Sequence, residues 1–400
     1  MNAPGPASAD LPARASHVRV DLGAIAGNVR ALAAIVRPAA LFAVVKADAY
    51  GHGAAKVAAQ ALAAGAHALC VALPQEAMEL RRAGIEAPLL VLGPTDADEM
   101  AALGAAGVAV TLTDGPSVVR ARAAASRLPA RTRPLGVHLK VDTGMGRIGC
   151  RPEEAPDLAR AVADAADLVL LGVFTHFASA DEDAAATRGQ LARFVAARAA
   201  IEARLDGAAR PLWHAANSAG ALALPEARLD AVRTGIALYG YPALPSGVPA
   251  PAALRPALSV LSRVSFVKRV ATGFAVSYGS TYRTAGERTL ATLPLGYADG
   301  LRRGLGGMEV VVAGRRVPIV GRVTMDQVVV EGPDDWPVAF GDPAVLLDAG
   351  GEGPTAAEWA ARLATIPYEV LTGLSTRLPR RYAEGEPAAA GPGEASRAEA

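Results

Sequence analysis

The stretch LFAVVKADAYGHG, residues 41–53, opens as an unbroken apolar run, stops on Lys46 and turns through Tyr50, Gly51, His52 and Gly53. Continuous rather than alternating apolarity marks a strand buried on both faces, as in a parallel sheet. Seven further runs of this kind follow: ALCVAL (68–73), PLLVLG (88–93), VAVTLT (108–113), LGVHLKV (135–141), LVLLGVF (168–174), PLWHA (211–215) and VRTGIALYG (232–240). The segments between them have helical Ala/Leu/Arg periodicity and helix-start signals, such as Pro74 before a Glu and Asp114-Gly-Pro. Strands spaced by room for a helix predict a (β/α)8 TIM-type barrel, with a doubly wound open sheet as the alternative. No GxGxxG fingerprint follows the first strand, which weakens the open sheet. In a barrel the chemistry belongs at the C-terminal ends of the strands.

Beyond about residue 250 the helical segments mostly vanish. The runs LSVLSRVSFVKRV (258–270), RTLATLPLG (288–296), MEVVVAGRRVPIVGRV (308–323), DQVVVEG (326–332) and DPAVLLDA (342–349) are strand-like, with period-two alternation and Gly turns. A helix-like stretch near 355–372 closes this part, and the Pro-rich LPSGVPAPAALRP (244–256) reads as a linker. The predicted organisation is a disordered tail (1–16), a barrel (17–250), a mostly β C-terminal domain (251–385) and a second disordered tail (386–400).

With 400 residues, 52% hydrophobic and a formal net charge of +1, the chain has ample core and no basic stripe, so no nucleic-acid partner is expected. No long charge-free apolar run and no signal-peptide pattern occur, and Cys70 and Cys150 cannot build a disulfide framework. These features predict a cytoplasmic protein without a membrane span. Of 40 basic residues, only Lys46, Lys56, Lys140 and Lys268 are lysine. Codon bias accounts for the scarcity. A lysine kept where arginine is the default nonetheless points to a need for an amine.

Lys46, ending a buried strand, stands where barrel enzymes place catalytic groups; emergence into solvent is the plainer alternative. In HLKVDTGMGRIG (138–149), Lys140 and Asp142 share one face of a strand, with Arg147 beyond a Gly-rich turn. A buried Lys–Asp pair would satisfy that pattern. His176 ends another strand, where a hydrogen-bonded rim role is the ordinary one. Asn217 and Ser218 in WHAANSAG, with Gly235 and Ile236, fit a phosphate site built from the loops after strands seven and eight. Arg233 beside them could pair with a phosphate or a pyridine nitrogen. No metal-ligand spacing, P-loop or GxSxG occurs.

The motifs AVVKADAYGHG, KVDTGMGRIG, HAANSA, RTGIALYG, SYGSTY, LPLGYADG, GRVTMDQ and LSTRLPRRY stand in one order between about residues 17 and 383. In this the chain resembles the alanine racemases, pyridoxal-phosphate enzymes of the barrel type. The resemblance implies that Lys46 carries the cofactor as an aldimine and that Lys46 and Tyr278 are the two acid/base groups, for D- and L-alanine respectively. It implies a homodimer in which Tyr278, Met325 and Asp326 reach the partner's active site. Tyr50, Ser218, Gly235, Ile236 and Tyr382 would hold the phosphate, with Asn217 in the same cofactor set and Tyr297 in support. Arg233 would face the pyridine nitrogen, braced by His176. Arg147 would contact the substrate carboxylate and the cofactor's phenolic oxygen, and the Met325 backbone would lie near that carboxylate. Lys140 matches a lysine that the family carbamylates to orient Arg147.

Thr234 stands where many members have Pro, and Thr324 where many have Cys. Neither replaces a reacting group, and both bear on substrate range or inhibitor sensitivity. The expected activity is interconversion of L- and D-alanine for peptidoglycan. The alternatives are a serine or broad-specificity racemase, a non-catalytic pyridoxal-phosphate homeostasis protein, and a barrel decarboxylase. SYGSTY and GRVTMDQ count against the carrier, and Arg233 in place of an acidic partner counts against the decarboxylase.

Overall fold

The computed structural model describes residues 14–384 apart from Arg133, and it divides at Val20/Asp21 and Ala257/Leu258 into two compact units. Most of each expected tail lies outside the described residues. Arg14–Ser16, expected in the first tail, are not loose. Arg14 makes a two-pronged bond to the Asp299 carboxylate, at 2.6 and 2.9 Å, and Ser16 is buried.

The first strand, β1 (His17–Asp21), also departs from the expected boundary. It pairs antiparallel with β10 (Leu258–Arg263) and belongs to the β unit, not to the barrel. Its sequence HVRVD explains this, because Val18 and Val20 are buried while Arg19 is exposed. Alternation of that kind suits a sheet with one covered face.

The barrel unit, Asp21–Ala257, is built on eight parallel strands. They are β2 (Ala40–Val44), β3 (Ala68–Val71), β4 (Leu89–Val91), β5 (Val110–Leu112), β6 (Leu135–Lys140), β7 (Leu168–Phe174), β8 (Leu212–His214) and β9 (Ala231–Thr234). Each lies within one of the runs read from the sequence or overlaps it. Hydrogen bonding runs β4-β3-β2-β9-β8-β7-β6-β5, and a parallel bridge between Leu90 and Ala109 joins the two ends. The Val91 amide donates to Ala109 O, and Thr111 Oγ1 donates to Val91 O at 2.7 Å. The seam therefore closes the sheet, which excludes the open doubly wound alternative.

Local chemistry sets the helices. Asp21 Oδ1 accepts from the Ala24 amide to cap helix Leu22–Val36, and Asp114 Oδ1 accepts from the Ser117 amide to cap helix Gly115–Ser126. Pro74 opens helix Pro74–Arg82, where its missing N–H costs nothing. The barrel core is largely apolar, and His138, Lys140, His214 and Arg233 are buried in the C-terminal halves of its strands.

The β unit holds β10, β11 (Phe266–Val270), β12 (Ala275–Val276), β13 (Tyr282–Arg283), β14 (Arg288–Leu293), β15 (Glu309–Val312), β16 (Arg315–Val320), β17 (Val328–Pro333), β18 (Pro343–Leu347) and β19 (Arg380–Ala383). All but β12 and β13 join β1 in one sheet ordered β11-β14-β17-β16-β15-β18-β10-β1-β19. The β15–β16 hairpin turns on Ala313 and Gly314, both at positive φ, as a two-residue loop requires. Helices Ala356–Leu363 and Pro367–Thr372 lie where the helix-like stretch was read.

Candidate active site

Lys46 leaves the end of β2 into a turn of unusual hand. Ala47, Asp48, Ala49 and Tyr50 all have φ between 52° and 54°, a left-handed helical turn made without glycine. At about 1–2 kcal/mol per residue this conformation must be held by its surroundings. Glu76 Oε1 accepts from the Ala47 amide at 2.6 Å, while Oε2 accepts from Ala72 and Leu73 at the end of β3. Asp48 Oδ1 accepts from the Ala54 amide, and the Gly53 amide donates to Asp48 O. The turn thus ties two strand ends to helix Ala54–Ala63. Lys46 itself is half-buried, and burial, with the Arg147 charge added, lowers its amine pKa.

The anion cradle lies at the ends of β8 and β9. Ser218 Oγ accepts from the amides of Gly235 (3.0 Å) and Ala237 (3.3 Å). The Tyr50 hydroxyl approaches Gly235 so closely that a Cβ there would lie 2.5 Å from it, so only glycine fits. The Tyr50 ring tilts on Tyr239, whose own hydroxyl donates to Val44 O at 3.0 Å. Asn217 has a local task, since its side-chain oxygen accepts from the Gly220 amide and caps helix Ser218–Ala223.

Arg233 is 3% exposed and has no carboxylate partner among the described residues. Its guanidinium donates to Thr175 O (2.6 Å), Ala215 O (3.0 Å), His214 O (2.9 Å) and His214 Nδ1 (2.9 Å). It also lies over the Phe174 ring at 5.1 Å, and His176 Nδ1 is 3.5 Å away. Burial brings its pKa down to about 10, so it stays protonated at neutral pH. Burial and the same guanidinium push the imidazoles of His176 and His214 well below their ordinary value, so both are neutral.

Lys140 is buried at the end of β6, and burial with the charges of Arg147 and Arg233 brings its amine down to about 8. The expected Lys140–Asp142 pair does not form as a direct contact. Asp142 spends its carboxylate on the amides of Gly144, Met145 and Gly146, which shapes the turn carrying Arg147. Arg147 is exposed, and its charge acts on Lys46, Lys140 and His176 alike. Among the ten barrel candidates, Lys46, Lys140, Arg147, His176 and Arg233 are thus electrostatically connected. Tyr50, Ser218, Gly235 and Ile236 surround the cradle. Four cations share this rim, and the carboxylates on its turns, Asp48, Glu76 and Asp142, accept from backbone amides.

The other five candidates belong to the β unit. Tyr278 is 71% exposed, Met325 52% and Tyr297 44%, with Tyr382 on β19 also exposed. The loops carrying Tyr297 and Met325 interlock, the Tyr297 amide donating to Thr324 O and the Ala298 amide to Met325 O. Thr324 Oγ1 donates to Gln327 O to close the TMDQ turn. Asp326 accepts from Arg377, which also pairs with buried Asp299.

Sequence reasoning missed Glu76, His138 and His214 as parts of this site. His138 had a legible signal, lying two residues before Lys140 and so on the same strand face. Glu76 read only as a helix-start residue, because nothing local reports a bond to an amide 29 positions away.

The family model described as "Alanine racemase, N-terminal domain" matches residues 20–243, and "Alanine racemase, C-terminal domain" matches 257–382. The chain is 47% identical over 372 residues to the alanine racemase of Symbiobacterium thermophilum, covering 92% of this chain and 97% of that one. The crystal structure of alanine racemase from E. faecalis superposes with a TM-score of 0.85 at 40% identity, covering 92% of this chain and 98% of that one. The enzyme from D-cycloserine-producing Streptomyces lavendulae gives 0.86 at 39%, covering 94% and 99%. With two family models spanning most of the chain and relatives this close, the chain belongs to the alanine racemase family and is an isomerase acting on alanine.

Proposed function

We propose that the chain interconverts L- and D-alanine with pyridoxal phosphate, as a cytoplasmic homodimer supplying D-alanine for peptidoglycan, with Lys46 and Tyr278 as the two acid/base groups. The observation that carries this reading is the cationic rim beside the anion cradle. Its nearby carboxylates are spent on amides, so the rim suits a ligand with a phosphate at one end and a substrate carboxylate at the other. The Gly235–Tyr50 approach and the convergence of Gly235 and Ala237 amides on Ser218 fit the phosphate end.

When bound, pyridoxal phosphate supplies an electron sink that makes the substrate Cα–H acidic. Tyr50, Ser218, Gly235 and Ile236 would hold its phosphate, with Tyr382 as the further phosphate residue that the family resemblance implies, and Arg233 would serve its ring nitrogen. Because Arg233 stays protonated, it would give that nitrogen a hydrogen bond rather than a proton. Lys46, with its lowered pKa, takes the Cα proton of D-alanine and can return one to the same face. Tyr278 Oη of a second copy does the same on the opposite face. The exposure of Tyr278, Met325 and Tyr297 supports that arrangement, since large apolar side chains left open in one chain suit cover by another. Arg147 fixes the substrate carboxylate, with the Met325 amide beside it. The Lys140 amine, at about 8, is nucleophilic enough to add carbon dioxide with loss of a proton, giving an anion beside Arg147.

The test is incubation with L-alanine in heavy water. Loss of optical rotation with deuterium at Cα is expected, whereas carbon dioxide release would select a decarboxylase. Borohydride should fix the cofactor on Lys46. Tyr278→Phe should lower turnover on the order of 10²–10⁴-fold, as removal of a general acid/base does, and full activity in both directions would end the two-base reading.

A further inference from the structure

Arg233 can only donate, so His214 Nδ1, 2.9 Å from it, carries a lone pair and His214 Nε2 carries the proton. That Nε2 lies 3.0 Å from His138 Nδ1, which must therefore accept. The hydrogen bonds run one way through the barrel, from Arg233 to His214 to His138. The chain is built in. His138 and His214 are buried, and the His214 ring stacks on Phe174 at 4.9 Å and tilts against Phe42 at 5.5 Å. On β7, Gly172 leaves the space that the His138 ring occupies, where any side chain would collide with it.

We propose that His138 is a positioning residue for racemisation: as terminal acceptor it locks His214 in the Nε2–H tautomer, whose Nδ1 lone pair holds Arg233. Without an acceptor at position 138, the His214 proton is free to move to Nδ1, where it opposes the guanidinium. Arg233 then loses the closer of its two imidazole contacts and keeps the backbone carbonyls and the longer His176 Nδ1 contact. A neutral acceptor is the fitting choice, since a carboxylate would neutralise the charge that the rim needs. This inference rests on the reading that Arg233 serves the cofactor ring.

The test combines nitrogen-15 NMR of histidine-labelled holoenzyme with two variants. In the wild type, His214 Nδ1 should resonate as a bare nitrogen and Nε2 as a protonated one. His138→Leu should populate the opposite tautomer, shift the cofactor's visible band and lower kcat on the order of tenfold or more with little change in KM. His138→Gln, whose amide oxygen can accept from His214, should restore the tautomer, the band and most of kcat. A protonated His214 Nδ1 in the wild type overturns the proposal, as does wild-type kcat and band in folded His138→Leu. Should His138→Leu fail to fold, the wild-type tautomer and the His138→Gln turnover decide. An Arg233→Gln enzyme with an unchanged band would remove Arg233 from the ring nitrogen, while the tautomer chain stays independently readable by NMR.

Discussion

Arg233 shows how far a single side chain departs from ordinary economy. A buried guanidinium without a carboxylate is costly, and here three carbonyls, an imidazole and a ring face offset the loss of water. Its neighbour Thr234 is the opposite case. It is fully buried, and its Oγ1 has no hydrogen-bond partner among the described residues. An unsatisfied buried hydroxyl costs about 1–3 kcal/mol, and valine has the same shape without it. Thr234→Val should therefore stabilise the protein by about 1 kcal/mol in urea unfolding, with turnover unchanged. A destabilised variant would mean that the hydroxyl is paired in solution. Lys46 and Lys140 were legible as residues because scarcity singled them out, and each lies at a strand end with its pKa lowered. Lys56 and Lys268 shared the scarcity and have no part in the site, so scarcity alone did not discriminate. Strand position did.

The elements were legible wherever one period ruled a whole segment. All eight barrel strands came from largely apolar runs, because burial on both faces leaves few polar positions, and the buried exceptions His138, Lys140, His214 and Arg233 belong to the site. The turn Ala47–Tyr50 was not legible in its hand. ADAY contains no glycine, and its left-handed path is imposed by bonds from distant residues. Glu76 is the chief of these, accepting from three amides on two strand ends. In Glu76→Gln, the side-chain NH2 must face amide donors and the charge assistance is lost. The variant should lose about 2–3 kcal/mol of stability in urea unfolding. Because Lys46 begins the same turn, kcat should fall with it. Unchanged stability would mean that the turn is held by Asp48 and its backbone bonds alone. The β1 strand was misassigned for a related reason, since an alternating HVRVD next to a helix start is equally at home in either unit until its partner is known.

At the scale of the whole molecule, the buried histidines tie stability to pH. His138 is brought down to about 3 by burial and the Arg233 charge, and His214 lies well below its ordinary value for the same reasons. In the unfolded chain each takes up a proton near pH 6.5. Below that value the unfolded state binds more protons than the folded one, so stability falls as pH falls. The contribution is complete above about pH 6.5 and is lost progressively as pH drops toward the folded values. Asp142 and Asp299, also held below the usual carboxylate range, enter only near pH 4 and below. Between pH 6.5 and 5 the two histidines therefore act with little competition. His138 loses about 1.4 kcal/mol per pH unit, which comes to roughly 2 kcal/mol at pH 5, and His214 adds in the same direction. Half-buried His176 shifts in the same direction and adds to the slope. Urea unfolding at pH 7.5 and pH 5.0 checks this, and in His138→Gln the difference should shrink by about 2 kcal/mol, the share of His138. Equal stability at the two pH values would mean that the buried imidazoles are protonated in the folded protein. That protonation is incompatible with an Arg233 donor on one side of His214 and a histidine acceptor on the other.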